Sequence, residues 1–111
     1  MRAMFRMTLT PDARPEYFLA HKQVAPEMIE ALARYGWRNY SLFTESPEHV
    51  VGYFEAEDPA RAMSDMRDDP ANIAWQRRMR PFLAGGDGSL VLLSEYFNLE
   101  DQLTRLQGPV N

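Results

Sequence analysis

The stretch WRNYSLFTESPEHVVGYFEA, residues 37–56, decides the fold. Trp37, Asn39, Ser41 and Phe43 alternate with Arg38, Tyr40 and Leu42, and a period of two is a strand. Both faces mix polar and apolar residues, so the alternation alone does not say which face is buried. Thr44 to Glu48, TESPE, has turn chemistry. Val50 to Ala56 is a further strand, and the whole reads as a hairpin. His49 opens its second strand beside a charged loop and reads as a surface residue.

Outward from the hairpin, the chain is helical on both sides and strand-like beyond. Residues 3–9, AMFRMTL, alternate, with Phe5, Met7 and Leu9 on one face and Met4, Arg6 and Thr8 on the other. Arg6 is therefore a candidate for a strand face that lines a cavity. Thr10-Pro11-Asp12 is a turn. Ala13 to Ala20 reads as a helix carrying Tyr17, Phe18 and Leu19, with His21 near its end. A second helical piece starts at Pro26-Glu27, has Met28, Ile29, Leu32 and Tyr35 as its apolar side, and stops at Gly36.

After the hairpin, Asp58-Pro59 is a helix cap followed by a first-position proline, and Ala62, Met63 and Met66 follow. Arg67-Asp68-Asp69 reads as a solvated charged break. Pro70 restarts a helix with Ile73, Trp75, Met79 and Phe82, and Gly85, Gly86 and Gly88 make a flexible loop. Leu90 to Phe97 is the last strand, and its apolar run suggests burial on both faces or at a subunit interface. Leu99 to Val110 is a tail with some helical character.

The order strand, helix, strand, strand, helix, strand fits an α+β, ferredoxin-like split βαβ domain over residues 1–99, followed by a tail over residues 100–111. Helices on one side of a four-stranded sheet leave the other side bare. A homodimer is the expected cover, and the bare face is the expected cavity wall.

Composition narrows the function classes. The chain has 111 residues, 45% hydrophobic and 25% charged, an ordinary balance for one globular domain. A net charge of −4 argues against nucleic acid as a partner. With no cysteine there is no disulfide framework, thiolate metal site or cysteine nucleophile. No apolar run reaches the ~18 residues of a membrane span, and the alternating N-terminus does not read as a signal peptide. A soluble, cytoplasmic protein that does not bind membranes is expected.

The two histidines lie far apart, no metal-ligand spacing stands out, and phosphate-loop and serine-hydrolase motifs are missing, so no metal site is expected. What carries chemistry is Tyr17-x-x-x-His21, which on a helix sets a phenol and an imidazole about a turn apart on one face. Such a pair can hydrogen-bond a small ligand and move its protons. Asn39, Tyr40 and Trp75 add amide, phenol and indole. An indole stacked on the apolar face of a sugar, with polar groups for its hydroxyls, is a sensible monosaccharide site. From helical spacing alone, Trp75 reads first as core packing.

The ordered set Phe5-Arg6-Met7, Tyr17 to His21, Pro26-Glu27, Asn39 to Phe43, Ala74-Trp75-Gln76 and Glu95 to Phe97 resembles the L-rhamnose mutarotases over residues 2–99. The resemblance implies a dimeric α/β barrel and a cofactor-free isomerase that interconverts the α and β anomers of a 6-deoxyhexose. It also implies His21 as catalytic proton donor and Tyr17, Tyr40 and Trp75 as sugar-binding residues. The residues themselves, apart from the resemblance, add Gln76, Asn39 and Arg6 as binding candidates.

Three positions depart from the family pattern: Ala25 and Gln76 stand where tryptophans are usual, and Asn98 where a tyrosine is common. They bear on the identity of the sugar, with L-fucose the alternative to L-rhamnose. Two other classes share such barrels, cofactor-free oxygenases and non-catalytic sugar-binding dimers.

Overall fold

The computed structural model describes residues 1–46 and 48–108; Pro47 of the predicted turn and residues 109–111 of the tail lie outside them. The strands are β1 (Arg2–Thr8), β2 (Arg38–Ser46), β3 (His49–Glu55) and β4 (Val91–Leu93). The helices are α1 (Arg14–Ala20), α2 (Pro26–Arg34), α3 (Pro59–Arg67), α4 (Pro70–Met79) and α5 (Leu99–Gln107). All strand pairs are antiparallel, in the order β2-β3-β1-β4, the ferredoxin-like arrangement expected.

Alternation sets the two faces of the sheet. In β3, Val50, Gly52 and Phe54 are buried, and they stand opposite Met7, Phe5 and Ala3 of β1. These side chains meet Tyr17, Met28, Ala31, Ala62, Met66, Trp75 and Met79 from the four helices, so the core lies between sheet and helices. A Cβ at Gly52 would overlap the Phe5 ring, so the small residue there lets Phe5 lie flat on the sheet. The other face carries Met4, Arg6, Val51, Tyr53, Glu55, Ser41 and Phe43, and no helix among α1–α4 covers it.

Strand β2 shows why its alternation was uninformative. Its register with β3 shifts between Arg38 and Ser41, and Asn39 takes φ 50°. Asparagine is one of the few residues that adopts this left-handed conformation readily. The bulge turns the chain, so Trp37 and Tyr40, which strict alternation puts on opposite faces, both join the helix-side core. Trp37 stacks on Phe54 at 3.9 Å and lies 4.9 Å from Tyr40.

In α2 the buried stripe is Met28, Ala31, Leu32 and Tyr35, the i, i+3, i+4, i+7 pattern; Ile29 falls off it and is exposed. Asp69 is not part of a solvated break. It is buried and caps α4 by accepting from the Ala71 N–H at 2.8 Å. The Tyr35 hydroxyl donates to it at 2.8 Å and Arg34 pairs with it at 3.3 Å, and these partners hold its carboxyl below the usual range. Ile73 of α4 is likewise exposed, while Trp75 and Met79, one turn apart, are buried. His49 is half-buried, its Nδ1 2.6 Å from the Ser46 hydroxyl.

The last strand is shorter than expected. Only Val91–Leu93 pairs, along one edge of β1, and Leu90 to Leu93 are exposed within the chain rather than buried on both faces. The helical character of the tail takes the form of α5, capped by Asn98, whose side chain accepts from the Asp101 N–H at 3.0 Å. That cap gives Asn98 a local role.

Candidate functional site

The Tyr17–His21 pair is organised by the end of α1. Helix α1 stops at Ala20, and His21 begins the turn that follows, its backbone N–H donating to the Phe18 carbonyl at 3.2 Å. The His21 Nδ1 lies 2.8 Å from the carbonyl oxygen of Tyr17. A carbonyl only accepts, so Nδ1 carries the hydrogen and donates it. That bond fixes the neutral tautomer and leaves Nε2 with the lone pair.

The imidazole sits among aromatic rings. The Tyr17 ring is 4.3 Å away and tilted, and the Trp75 ring of α4 is 5.1 Å away and edge-on. Tyr17 and Trp75 are buried at 3% and 8% exposure, whereas His21 stays partly open to solvent. Burial pushes the Tyr17 phenol up to about 12, so it is a neutral donor at ordinary pH. The Tyr40 phenol is raised as well, first by burial and then by repulsion from Tyr17 across the same space.

The expected site residues divide into two groups. Tyr17, His21, Tyr40 and Trp75 share the helix-facing side of the sheet. Arg6, Asn39 and Gln76 are not brought to them. Arg6 lies on the bare face, opposite Val51 and Val91. Asn39 is exposed on the bulge and donates to the Glu55 carboxylate at 2.8 Å, an oxygen that the Tyr53 hydroxyl also meets at 2.8 Å. Gln76 is exposed on α4 and donates to Asn72 one turn back at 3.2 Å. The bare face, expected as the cavity wall, is therefore not where the phenol, imidazole and indole meet.

Three residues absent from the sequence-based set support the cluster. Phe18 packs edge-on to Tyr17 at 5.4 Å, Trp37 buttresses Tyr40, and the Arg78 guanidinium lies 5.6 Å from the centre of the Trp75 ring. Only their aromatic or cationic character hints at this in the sequence. A concavity of about 650 Å³ between the start of α1 and the end of β2 is lined by Phe18 but not by His21. Among the described residues, no group of three or more acidic, histidine or cysteine side chains is arranged to hold a metal ion, and no helix is long and apolar enough to cross a membrane.

Comparison with known proteins joins this geometry to a family. The L-rhamnose mutarotase of Oceanobacillus iheyensis is 34% identical over 103 residues, covering 89% of this chain and 98% of that protein. That of Leptothrix cholodnii is 31% identical over 88 residues, covering 78% and 83%. Among solved structures, the L-rhamnose mutarotase of Formosa agariphila superposes with a TM-score of 0.76 at 19% identity, over 89% of this chain and 98% of that one. An antibiotic biosynthesis monooxygenase superposes less well, with a TM-score of 0.60 at 17% identity over 86% and 97%, so the fold itself is shared across chemistries. The family model for L-rhamnose mutarotase matches residues 2–99, and the chain belongs to that family.

Proposed function

We propose that this protein is a mutarotase that interconverts the α and β anomers of L-rhamnose by acid–base opening and closure of the sugar ring, acting as a homodimer without a cofactor. The observation that carries the reading is the tethered imidazole: His21 Nδ1 held on the Tyr17 carbonyl at 2.8 Å, with the ring set against Tyr17 and Trp75.

Ring opening requires a proton to leave the anomeric hydroxyl and another to reach the ring oxygen. Closure on the opposite face of the aldehyde reverses both transfers. With Nδ1 committed, Nε2 is the one ring nitrogen free to exchange a proton with the sugar. An imidazole nitrogen can act as both proton acceptor and proton donor, so the same atom can serve opening and closure. The Tyr17 and Tyr40 hydroxyls, kept neutral by their raised pKa values, supply hydrogen bonds to sugar oxygens and the second proton route. The Trp75 indole offers an apolar wall for the C–H face of the sugar. Arg6, Asn39 and Gln76 stay outside this proposed site, because their positions put them on other surfaces.

The test is saturation-transfer NMR of anomer exchange, first with L-rhamnose and then with L-fucose. The wild type should exchange L-rhamnose anomers well above the spontaneous rate. His21→Ala should lower the catalysed rate by roughly 100-fold or more, with its circular dichroism unchanged. Near-normal exchange in that variant would remove His21 from the mechanism, and no catalysed exchange in the wild type would remove the mutarotase reading.

A further inference from the structure

We infer, resting on the mutarotase reading, that Asp69 is a positioning residue for the sugar site: through the Tyr35 hydroxyl it fixes α4 against α2, and so sets the Trp75 wall against His21.

Asp69 is the one charged side chain buried among the described residues, at 7% exposure. A buried carboxylate is costly unless its oxygens find donors. Here both do. Oδ1 accepts from the Ala71 N–H at 2.8 Å, which caps α4. Oδ2 accepts from the Tyr35 hydroxyl at 2.8 Å and from the Arg34 guanidinium at 3.3 Å. Capping alone does not account for this arrangement. Asp58 caps α3 in the same way, by accepting from the Arg61 N–H, yet it is exposed and has no bond to a second helix among the described residues. At Asp69 the second oxygen is directed to another element.

That element is the end of α2. Arg34 is the last residue of α2 and Tyr35 its C-cap, so the bonds tie the last turn of α2 to the first turn of α4. The two helices pack on each other, with Met28 and Ala31 of α2 in the same core cluster as Trp75 and Met79 of α4. Trp75 follows Asp69 on the same helix, about 9 Å further along its axis. Helix α2 in turn connects to His21 through the short turn before Pro26. The joint therefore relates the two elements that bring the His21 and Trp75 rings to 5.1 Å. Apolar packing holds the helices together but is not directional, so it tolerates small slides. A hydroxyl-to-carboxylate bond is short and directional, and it fixes their register.

The geometry also selects the kinetic constant that responds. The His21 tether runs from Nδ1 to the Tyr17 carbonyl, within α1 and the turn after it, and does not involve α4. Loosening α4 leaves the proton-transferring group in place and misplaces the apolar wall. A wall that holds substrate and transition state alike acts on KM rather than kcat.

Tyr35→Phe makes the test. It deletes one hydroxyl, keeps the ring in the core, and leaves the α4 cap and the Arg34 pair in place. Saturation-transfer NMR over a range of L-rhamnose concentrations should show KM raised roughly five-fold, the worth of one aromatic contact, with kcat changed less than about two-fold. With 5-fluorotryptophan incorporated, the Trp75 fluorine resonance, assigned by Trp75→Phe, should shift in the sugar-free protein. Asp69→Asn, which keeps one acceptor oxygen and loses the other, should move both readouts as well. A bond that only stabilises the fold would lower the urea midpoint and leave both readouts unmoved. KM or the Trp75 resonance at its wild-type value, in a Tyr35→Phe protein with unchanged circular dichroism, overturns the inference. A wild type without catalysed exchange removes the mutarotase reading instead, and the resonance alone then decides whether the joint positions Trp75.

Discussion

At Tyr17, one residue does two jobs: its backbone carbonyl orients His21, and its phenol is buried against the same ring. Burial raises that phenol from its ordinary value of 10.0 to about 12. The sign for stability follows. Between pH 10 and 12 the unfolded chain loses the proton and the folded chain keeps it, so the unfolded state binds fewer protons and stability falls as pH rises. Below pH 10 both states are protonated and the group exerts no pH dependence. The loss amounts to about 2–3 kcal/mol by pH 12 for a two-unit difference. Urea unfolding measured from pH 9 to pH 12 should show this decline, and Tyr17→Phe should flatten part of it. A decline of the same size in the variant would mean that other groups carry it. The Tyr17-x-x-x-His21 spacing was legible in the sequence because a helix repeats every 3.6 residues. The bond from Nδ1 to a backbone carbonyl was not, since it depends on where α1 ends, and neither was the placing of Arg6, Asn39 and Gln76 on other surfaces.

Strand β2 and its neighbours show how far element-level patterns reach. The hairpin and the order of elements follow from periodicity and turn residues. The face on which Tyr40 lies does not, because a single bulge at Asn39 reverses the parity of everything before it. The buried role of Asp69 was equally hidden, since a charged triplet looks solvated until Tyr35 and Arg34 are brought to it by packing. Across the same sheet, Gly52 admits the Phe5 ring, which lies 6.3 Å from Tyr40. Gly52→Ala would therefore displace the Phe5 ring that neighbours Tyr40. Overpacking of this kind costs about 1–3 kcal/mol, so the variant should unfold at lower urea concentration. If Tyr40 binds the sugar, the variant should also raise the KM for anomer exchange more than it lowers kcat. A Gly52→Ala protein with unaltered stability would mean that the Phe5 ring has room to move aside.

For the whole molecule, the surfaces left uncovered matter as much as the core. The chain measures 57 × 30 × 22 Å, elongated for a domain of this size, and its bare sheet face, β4 edge and α5 stripe all expose apolar side chains. Where exposed apolar side chains join into a patch, the patch commonly marks an interaction site. In contrast, Tyr17, His21, Tyr40 and Trp75 all come from one chain and lie between its own sheet and helices, so each copy holds a complete cluster. If the chain dimerises as proposed, assembly acts on stability more directly than on the chemistry. When unfolding is coupled to dissociation, the melting temperature depends on protein concentration by mass action. Raising the concentration from about 1 to 100 μM should stabilise the folded state by roughly 2.7 kcal/mol per dimer, which is a rise of several degrees in melting temperature. Differential scanning calorimetry across that range makes the measurement. A melting temperature independent of concentration, together with a monomer mass, would leave the exposed apolar surface without the cover argued for it.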